Sequence, residues 1–496
     1  MLTRLKVQGF KNLVDIDVRF GPFTCVAGRN GVGKSNLFDA ILFLSDLTEK
    51  SLIEALTGVR GETRAKEAGR VFSRGTHAHA GKMTFEAEMI VPKWGEDDLG
   101  QAVEASATFL RYSLEIRRTQ SSDAGGDTYE IASERLDYVK KSEAKSALPF
   151  ARGYKEWRES AFQGRRTTPF ISTRVNTEYV QEFKIHEDSG HQGRGSSFQS
   201  SGLARTLLST IRTAESPTAL MAKREMQSWR LLQLEPAHLR TPDEYRTAAV
   251  LGPEGRGLAA TLNRLISYGK HKTTEQWAVQ QRLVNRLKEL VDVENIDVDR
   301  DEKRELFTTI VTNRIGTVFS ARELSDGTLR FLALAALEQD PKWNGLLCME
   351  EPENGIHPTR IPRIIDLLRG LTVDLDAKIG KDNPLRQVIL NTHSPEVVGL
   401  VPYDSLLLAD TIPSGDDARV ESLVLRPLRD TWRTASDASI RPATKGDVLA
   451  ILNALPAALA TEEEREAEDS DAPRVKRVAR RSDFRQLSMF ASDDGG

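Results

Sequence analysis

Residues 28–35 read Gly28-Arg29-Asn30-Gly31-Val32-Gly33-Lys34-Ser35, which is the spacing G-x-x-x-x-G-K-[ST] of a phosphate-binding loop. The apolar run Phe23–Ala27 precedes it and predicts a short buried strand. Leu37, Ile41, Leu42 and Leu44 follow at helical spacing, so the loop joins a strand to a helix, the setting such a loop requires. Gly28, Gly31 and Gly33 are read as bends that turn backbone N–H groups inward to make an anion nest. The helix N-terminus adds about half a positive charge to the same spot. Lys34 can then reach the β- and γ-phosphates of a nucleotide, and the Ser35 hydroxyl can ligate Mg²⁺.

Composition narrows the remainder. At 496 residues the chain has room for about three domains, or for one large domain with insertions. A formal net charge of −3 exerts no global pull on nucleic acid, so any DNA contact has to come from local patches. No apolar run approaches the roughly 20 residues needed to span a bilayer, and no signal peptide is evident, so no membrane role is expected. Cys25 and Cys348 both fall in apolar runs and read as buried thiols of a reduced, cytoplasmic protein.

Along the chain, Leu2–Val7 and Val14–Phe20 predict strands flanking the turn Gly9-Phe10-Lys11-Asn12. Alternating segments at Met83–Ile90, Ala107–Ile116, Tyr129–Val139 and Tyr179–Ile185 predict an antiparallel sheet layer. His186–Gly202, rich in Gly and Ser, predicts a loop. From Leu203 to about Val291 the pattern is mainly helical. Its best amphipathic stretch is Glu275–Leu290, with Trp277, Val279, Leu283, Leu287 and Leu290 on one side. Strand pattern returns at Leu306–Val311 and Thr317–Phe319. Beyond about Ala460 an acidic run is followed by a basic one, and neither carries core-forming periodicity, which predicts a disordered tail.

Hydrolysis needs carboxylates as well as a phosphate loop. Leu346-Leu347-Cys348-Met349 leads into Glu350-Glu351-Pro352-Glu353, an apolar strand that ends in acids. Glu350 is assigned to Mg²⁺ and Glu351 to polarising the attacking water. Gln387–Leu390 is a second apolar strand, ending in Asn391-Thr392-His393-Ser394, and His393 is placed to sense a γ-phosphate. Before both, Glu323-Leu324-Ser325-Asp326-Gly327 opens an apolar helix with Ser325 as its cap, a further anion-binding helix start.

These four pieces, in this order, resemble the ATP-binding-cassette (ABC) ATPases of the structural-maintenance (SMC), RecF and overcoming-lysogenization-defect (OLD) group. Gly28–Ser35 matches Walker A, Leu324–Gly327 the signature motif and Leu346–Glu351 Walker B. Glu351–Pro358 matches the D-loop, His393 the switch histidine and Gly9–Asn12 the "GFK" turn. The resemblance covers residues 1–45 and about 305–410. It implies an α/β fold: an ABC-type head of mixed sheet plus antiparallel β layer, with an inserted, mainly helical lobe. It also implies ATP and Mg²⁺ as cofactors. The implied nucleotide contacts are Gly28, Asn30, Gly31, Gly33, Lys34, Ser35, Asn36 and Lys11, with Ser325 and Gly327 of a second head completing the site. The metal would be held by Ser35 and Glu350, and Glu351 and His393 would be catalytic. An ATP-dependent head-to-head dimer or higher oligomer follows from that arrangement. Glu350 departs from the family's usual Asp, and Asp326 stands where the signature has glycine.

About 290 residues separate Ser35 from Ser325, yet they hold neither sustained heptads nor a Cys-x-x-Cys pair, so no coiled-coil arm is expected. The boundaries expected are 1–145 for the first part of the head, 146–300 for the helical lobe, 301–460 for the second part and 461–496 for the tail. Arg152, Lys155, Arg158, Arg165, Arg166 and Arg174, interleaved with Tyr154, Trp157 and Phe162, form a candidate DNA patch. Beyond His393 the acidic clusters of the OLD nuclease domain are missing, so no nuclease activity is expected and any nuclease or toxin would be a partner acting in trans. Gln486-Leu487-Ser488-Met489-Phe490 resembles the bacterial sliding-clamp-binding peptide. The resulting expectation is a cytoplasmic ATPase acting in DNA repair or DNA-linked processes. The alternative is the sensor or scaffold of an anti-phage system that controls a separate nuclease or toxin.

Overall fold

Alternating apolar and polar residues put Leu2–Phe10 and Leu13–Arg19 in antiparallel register, with Leu5 opposite Val18 and Val7 opposite Ile16. The hairpin forms one edge of an eight-stranded sheet in this computed structural model. Residues 1–59, 65–73, 81–119, 127–164, 166–175, 181–188, 196–200, 202–266, 273–414, 417–435 and 441–452 are described. They fall into two compact units. One comprises Met1–Arg230, Val373–Gln387 and Leu407–Ala443; the other comprises Leu231–Thr372, Val388–Leu406 and the segment that begins at Thr444.

In the first unit the eight strands run, in spatial order, Ser197–Ser200, Gln181–Ile185, Ile171–Val175, Thr128–Tyr138, Phe109–Thr119, Lys82–Ile90, Leu2–Phe10 and Leu13–Arg19. Every pairing is antiparallel, as the alternation predicts. Ser197–Ser200, expected within a loop, instead pairs with Gln181–Lys184. Phe23–Ala27 is fully buried and leads to the helix Lys34–Asp46, as expected for the phosphate loop. That helix is fastened to the sheet by an aromatic cluster: the Phe43 ring lies 5.6 Å from both Phe10 and Phe85. Both cysteines are buried and free.

The candidate DNA patch loses most of its aromatic character. Trp157 is fully buried and Phe162 nearly so, in a core with Phe109, Leu148 and Leu385. Arg166 lies over the Phe170 ring at 4.3 Å and donates to the carbonyls of Thr168, Glu187 and Asp188. Arg165 lies outside the described residues. The spacing that suggested a stacking platform is that of a short helix, Lys155–Ala161, burying its apolar side.

The second unit holds the amphipathic helix Thr274–Lys288, started by a reciprocal capping box between Thr273 and Gln276. Val279, Leu283 and Leu287 are buried as expected, but Trp277 is 53% exposed, so the buried stripe is narrower than the sequence suggests. Asn295–Asp301, Leu306–Thr312 and Val318–Ser320 form antiparallel pairs. The strand Gly345–Glu350 neighbours Arg386–Thr392, with the helices Asp326–Gln339 and Ile361–Gly370 in the same unit. No helix among the described residues is long and apolar enough to cross a membrane. The expected tail and the segment Gln486–Phe490 lie outside the described residues.

One buried acid in the first unit has a measurable consequence. Glu134 is fully buried and accepts hydrogen bonds from the Leu207 and Leu208 amides and the Tyr112 hydroxyl. Burial raises its pKa to about 7, against the opposing effect of those donors. The folded state therefore binds more protons than the unfolded state between the usual carboxylate range and about pH 7, so stability falls as pH rises through that window. Urea denaturation of the wild type should show that decline. In Glu134→Gln the slope between about pH 5 and 7 should flatten, whereas an unchanged slope would remove Glu134 as its source.

Candidate functional site

The P-loop lies in the first unit. Gly31 and Gly33 have φ of +84° and +99°, the left-handed region that a Cβ disfavours. Gly28 differs from both. Its backbone is ordinary, but a Cβ there would come within 2.5 Å of the Ala409 carbonyl oxygen, so close packing excludes a side chain. Gly33 ends the loop as the left-handed residue from which the helix Lys34–Asp46 starts. Lys34 is buried, and its ammonium donates to the carbonyls of Gly28 (2.6 Å) and Arg29 (2.9 Å). Ser35 and Asn36 occupy the first turn, and Asn30 and Gly31 are exposed at the loop tip.

Sequence reasoning selected Lys11 in the preceding turn as a nucleotide contact; the side chain that holds the loop itself is that of its neighbour Asn12. Its amide donates to the Val32 carbonyl (3.0 Å), and its side-chain oxygen accepts from Asn36 (2.8 Å). A Cβ on Gly33 would fall 2.2 Å from the Asn12 nitrogen, so the two residues fit only as they stand. Lys11 adopts φ +49° and pairs with Asp39 of the P-loop helix at 2.7 Å. The turn therefore grips the loop from the side, and its signal in the sequence was the Lys-Asn pair following an apolar strand.

The carboxylates, the histidine and Ser325 lie in the second unit. Glu350 is the last residue of its strand, and burial together with the Glu350 charge pushes the Cys348 thiol well above its usual range. Glu351 has φ +45°, uncommon for a residue with a long side chain and a mark of stored backbone strain. Its amide bonds the Asn391 carbonyl at 3.0 Å. One carboxylate oxygen accepts from Asn354 (2.7 Å), and the other meets His393 Nδ1 (2.6 Å). An ionised Glu351 only accepts, so Nδ1 carries the proton in this contact. The structure thus brings Glu351 and His393 together directly.

A second link runs parallel to the first. The Thr392 hydroxyl donates to Glu353 at 2.5 Å and accepts from the Ser394 amide. Burial pushes the Glu353 carboxyl up from its ordinary value. Ser325 is exposed and caps the helix Asp326–Gln339 through the Thr328 amide. Asp326, the departure from glycine, pairs with Arg240, which also donates to the Leu324 carbonyl. Gly327 leaves room for Ile356, which a Cβ would approach to 3.2 Å. Arg330 of the same helix donates to the Asn354 carbonyl. Asn354, Thr392, Arg330 and Arg240 carry no motif signal that singles them out in the sequence.

Among known families, AAA_21, described as "AAA domain, putative AbiEii toxin, Type IV TA system", matches residues 23–89 and 224–399. An OLD nuclease of Thermus scotoductus is 48% identical over 48 residues, 10% of this chain and 9% of that protein. The DNA replication and repair protein RecF of Phocaeicola vulgatus is 41% identical over 46 residues, 9% of this chain and 12% of that protein. The chain thus spans about a tenth of the length of these curated relatives. Similar solved structures include an SMC head bound to the C-winged helix domain of ScpA, at 13% identity and TM-score 0.38, covering 86% of this chain and 98% of that one. The SMC head domain from Thermotoga maritima is similar at 12% identity and TM-score 0.35, covering 86% and 99%.

The grip of Asn12 is testable apart from any function. Asn12→Ala removes two side-chain hydrogen bonds, which should lower stability by about 1–2 kcal/mol in urea denaturation. Amide hydrogen exchange at Val32–Lys34 should also accelerate; protection equal to wild type would show that the loop holds itself.

Proposed function

The chain belongs to the ABC-type ATPases of the RecF/SMC/OLD-like group, and from that premise we propose that it binds and hydrolyses Mg²⁺-ATP and dimerises head to head around the nucleotide. The observation that carries this reading is Glu351, a strained carboxylate at a strand end, oriented by Asn354 and in contact with His393. Strain of that kind concentrates where a side chain must be aimed.

Gly31, Gly33 and the start of the helix Lys34–Asp46 offer backbone N–H groups to the phosphates, with Lys34 adding its charge and Asn30, Asn36 and Lys11 lying around the loop. From the resemblance, Ser35 and Glu350 are assigned as the residues that would hold Mg²⁺. Among the described residues no cluster of three or more His, Cys, Asp or Glu could hold a metal. That fits an ion arriving with its nucleotide, because Mg²⁺ usually keeps waters and substrate phosphates and takes only one or two protein ligands. When bound, the ion would neutralise charge on the phosphates. Glu351 takes the role of orienting and polarising the attacking water, and His393 that of reporting the γ-phosphate to Glu351 through their shared hydrogen bond. Ser325 and Gly327 are assigned to the nucleotide held by a second head.

For biological role we favour DNA repair or a related DNA-linked process, supported by the partial likeness to RecF. The alternative, an anti-phage sensor or scaffold acting on a nuclease or toxin in trans, is supported by the family's description as "putative AbiEii toxin" and by the OLD nuclease likeness. DNA-stimulated hydrolysis by the purified protein favours the first; dependence on a separately encoded toxin favours the second.

Lys34→Ala should abolish ATP binding in calorimetric titration, and unchanged affinity would sink the site. Glu351→Gln should keep binding but lower hydrolysis by about 100-fold or more. It should also accumulate an ATP-bound dimer by light scattering, and turnover at the wild-type rate would move the catalytic role to another residue.

A further inference from the structure

Among the described residues Lys223 is a buried cation without a counter-ion. It lies on the helix Pro217–Gln227 of the first unit with 7% of its surface exposed. Among the described residues its ammonium bonds only two backbone carbonyls, those of Ser209 (2.9 Å) and Ile211 (2.8 Å). Two carbonyl dipoles use two of its three N–H donors but do not neutralise its charge, and buried charges are ordinarily paired. Burial lowers its pKa. Asp98 acts against that effect and Arg212 and Arg224 add to it.

The group does not stand alone. Lys223 lines a cavity of about 710 Å³ with Arg205, Arg212 and Arg224, set, among the described residues, against two carboxylates, Glu49 and Asp98. Arg224 pairs with Asp98, and Arg205 reaches Glu54 and the Glu49 carbonyl. The Arg212 guanidinium has no partner among the described residues, so Lys223 and Arg212 are the uncompensated pair. Packing does not require such a group. A buried ammonium and a free guanidinium converging on one polar hollow keep a local positive excess that the fold itself leaves unmet.

We propose that this cavity binds a small, multiply phosphorylated anion, its phosphates held by Lys223 and Arg212 with support from Arg224. The volume lies within the roughly 300–1,000 Å³ of small-molecule sites. Among the described residues no aromatic side chain lines the cavity, so they offer no stacking platform of the kind single-stranded nucleic acid uses. Thr48 and Glu49 of the lining lie just past the P-loop helix, beyond its C-cap Leu47. The site therefore stands at the opposite end of that helix from the P-loop, about 20 Å away for its 13 residues. A ligand there is in register to bias the position of the helix that carries Lys34 at its other end.

The test uses the full chain carrying Lys34→Ala, which disables the P-loop, and inorganic tripolyphosphate as probe. Calorimetry should detect saturable binding that weakens as salt is raised. Adding Arg212→Ala or Lys223→Met should each weaken it at least tenfold. Lys223→Met removes a buried group and can impair folding, whereas Arg212 is exposed, so Arg212→Ala reads on the site by itself. Absent binding, or affinity unchanged by Arg212→Ala, overturns the proposal. So does a result in which a short DNA duplex binds through Arg212 and tripolyphosphate does not, since the cavity would then be a nucleic-acid contact.

Discussion

The Asn12 side chain occupies the space that a Cβ on Gly33 would need, and the seat of the P-loop depends on that contact. Asn12 lies in the turn between the strands Leu2–Phe10 and Leu13–Arg19, while Gly33 starts the P-loop helix. One amide thereby sets the height at which the loop meets the sheet. Phe43, one face further along the helix, packs on Phe10 and Phe85 and fixes its rotation. A polar clamp at the N-terminus and an aromatic one in the last turn leave the helix a single seat. The loop conformation is then a consequence of the sheet and not only of its glycines.

The second unit solves a different problem, that of aiming a flexible carboxylate. Glutamate has three side-chain torsions, and a hydrolytic site tolerates little scatter in its position. Here the backbone is first forced into a left-handed turn, and both oxygens are then occupied, by Asn354 and His393. The strain, of order 1 kcal/mol or more, is offset by charge-assisted hydrogen bonds of larger gross strength. Arg330 braces Asn354 from the helix that Ser325 caps, so the proposed signature and the proposed catalytic carboxylate share one rigid connection.

What was legible in the sequence followed from local periodicity and from motifs whose chemistry is local. The P-loop strand and helix, the antiparallel layer and the apolar strand ending at Glu350 all carry that kind of signal. Trp157 and Phe162 misled because basic residues beside aromatics look alike whether a short helix shows its rings to solvent or buries them; tertiary context alone decides. Trp277 erred the other way, since helical spacing fixes a face but not how wide the neighbouring core is. Asn354 and Thr392 were invisible as site residues because their role is to orient another side chain, and that depends on the three-dimensional partner; Asn12 was noticed only as part of the Gly9–Asn12 turn. Gly28 was recognised for the wrong reason: it needs no unusual φ, only the absence of a side chain against Ala409.

The hydrogen bonds of Lys34 to its own loop carry a consequence for how such a loop handles an incoming anion. An ammonium already resting on the Gly28 and Arg29 carbonyls has shed most of its water before any phosphate arrives. Capture is then an exchange of acceptors, carbonyl for phosphoryl oxygen, and not a fresh desolvation. Such exchange surrenders part of the gross attraction, but it spares the lysine the cost of ordering a long side chain at the moment of binding. Selectivity should accordingly rest on charge: a neutral ligand offers nothing better than the carbonyls it displaces, whereas a polyphosphate does.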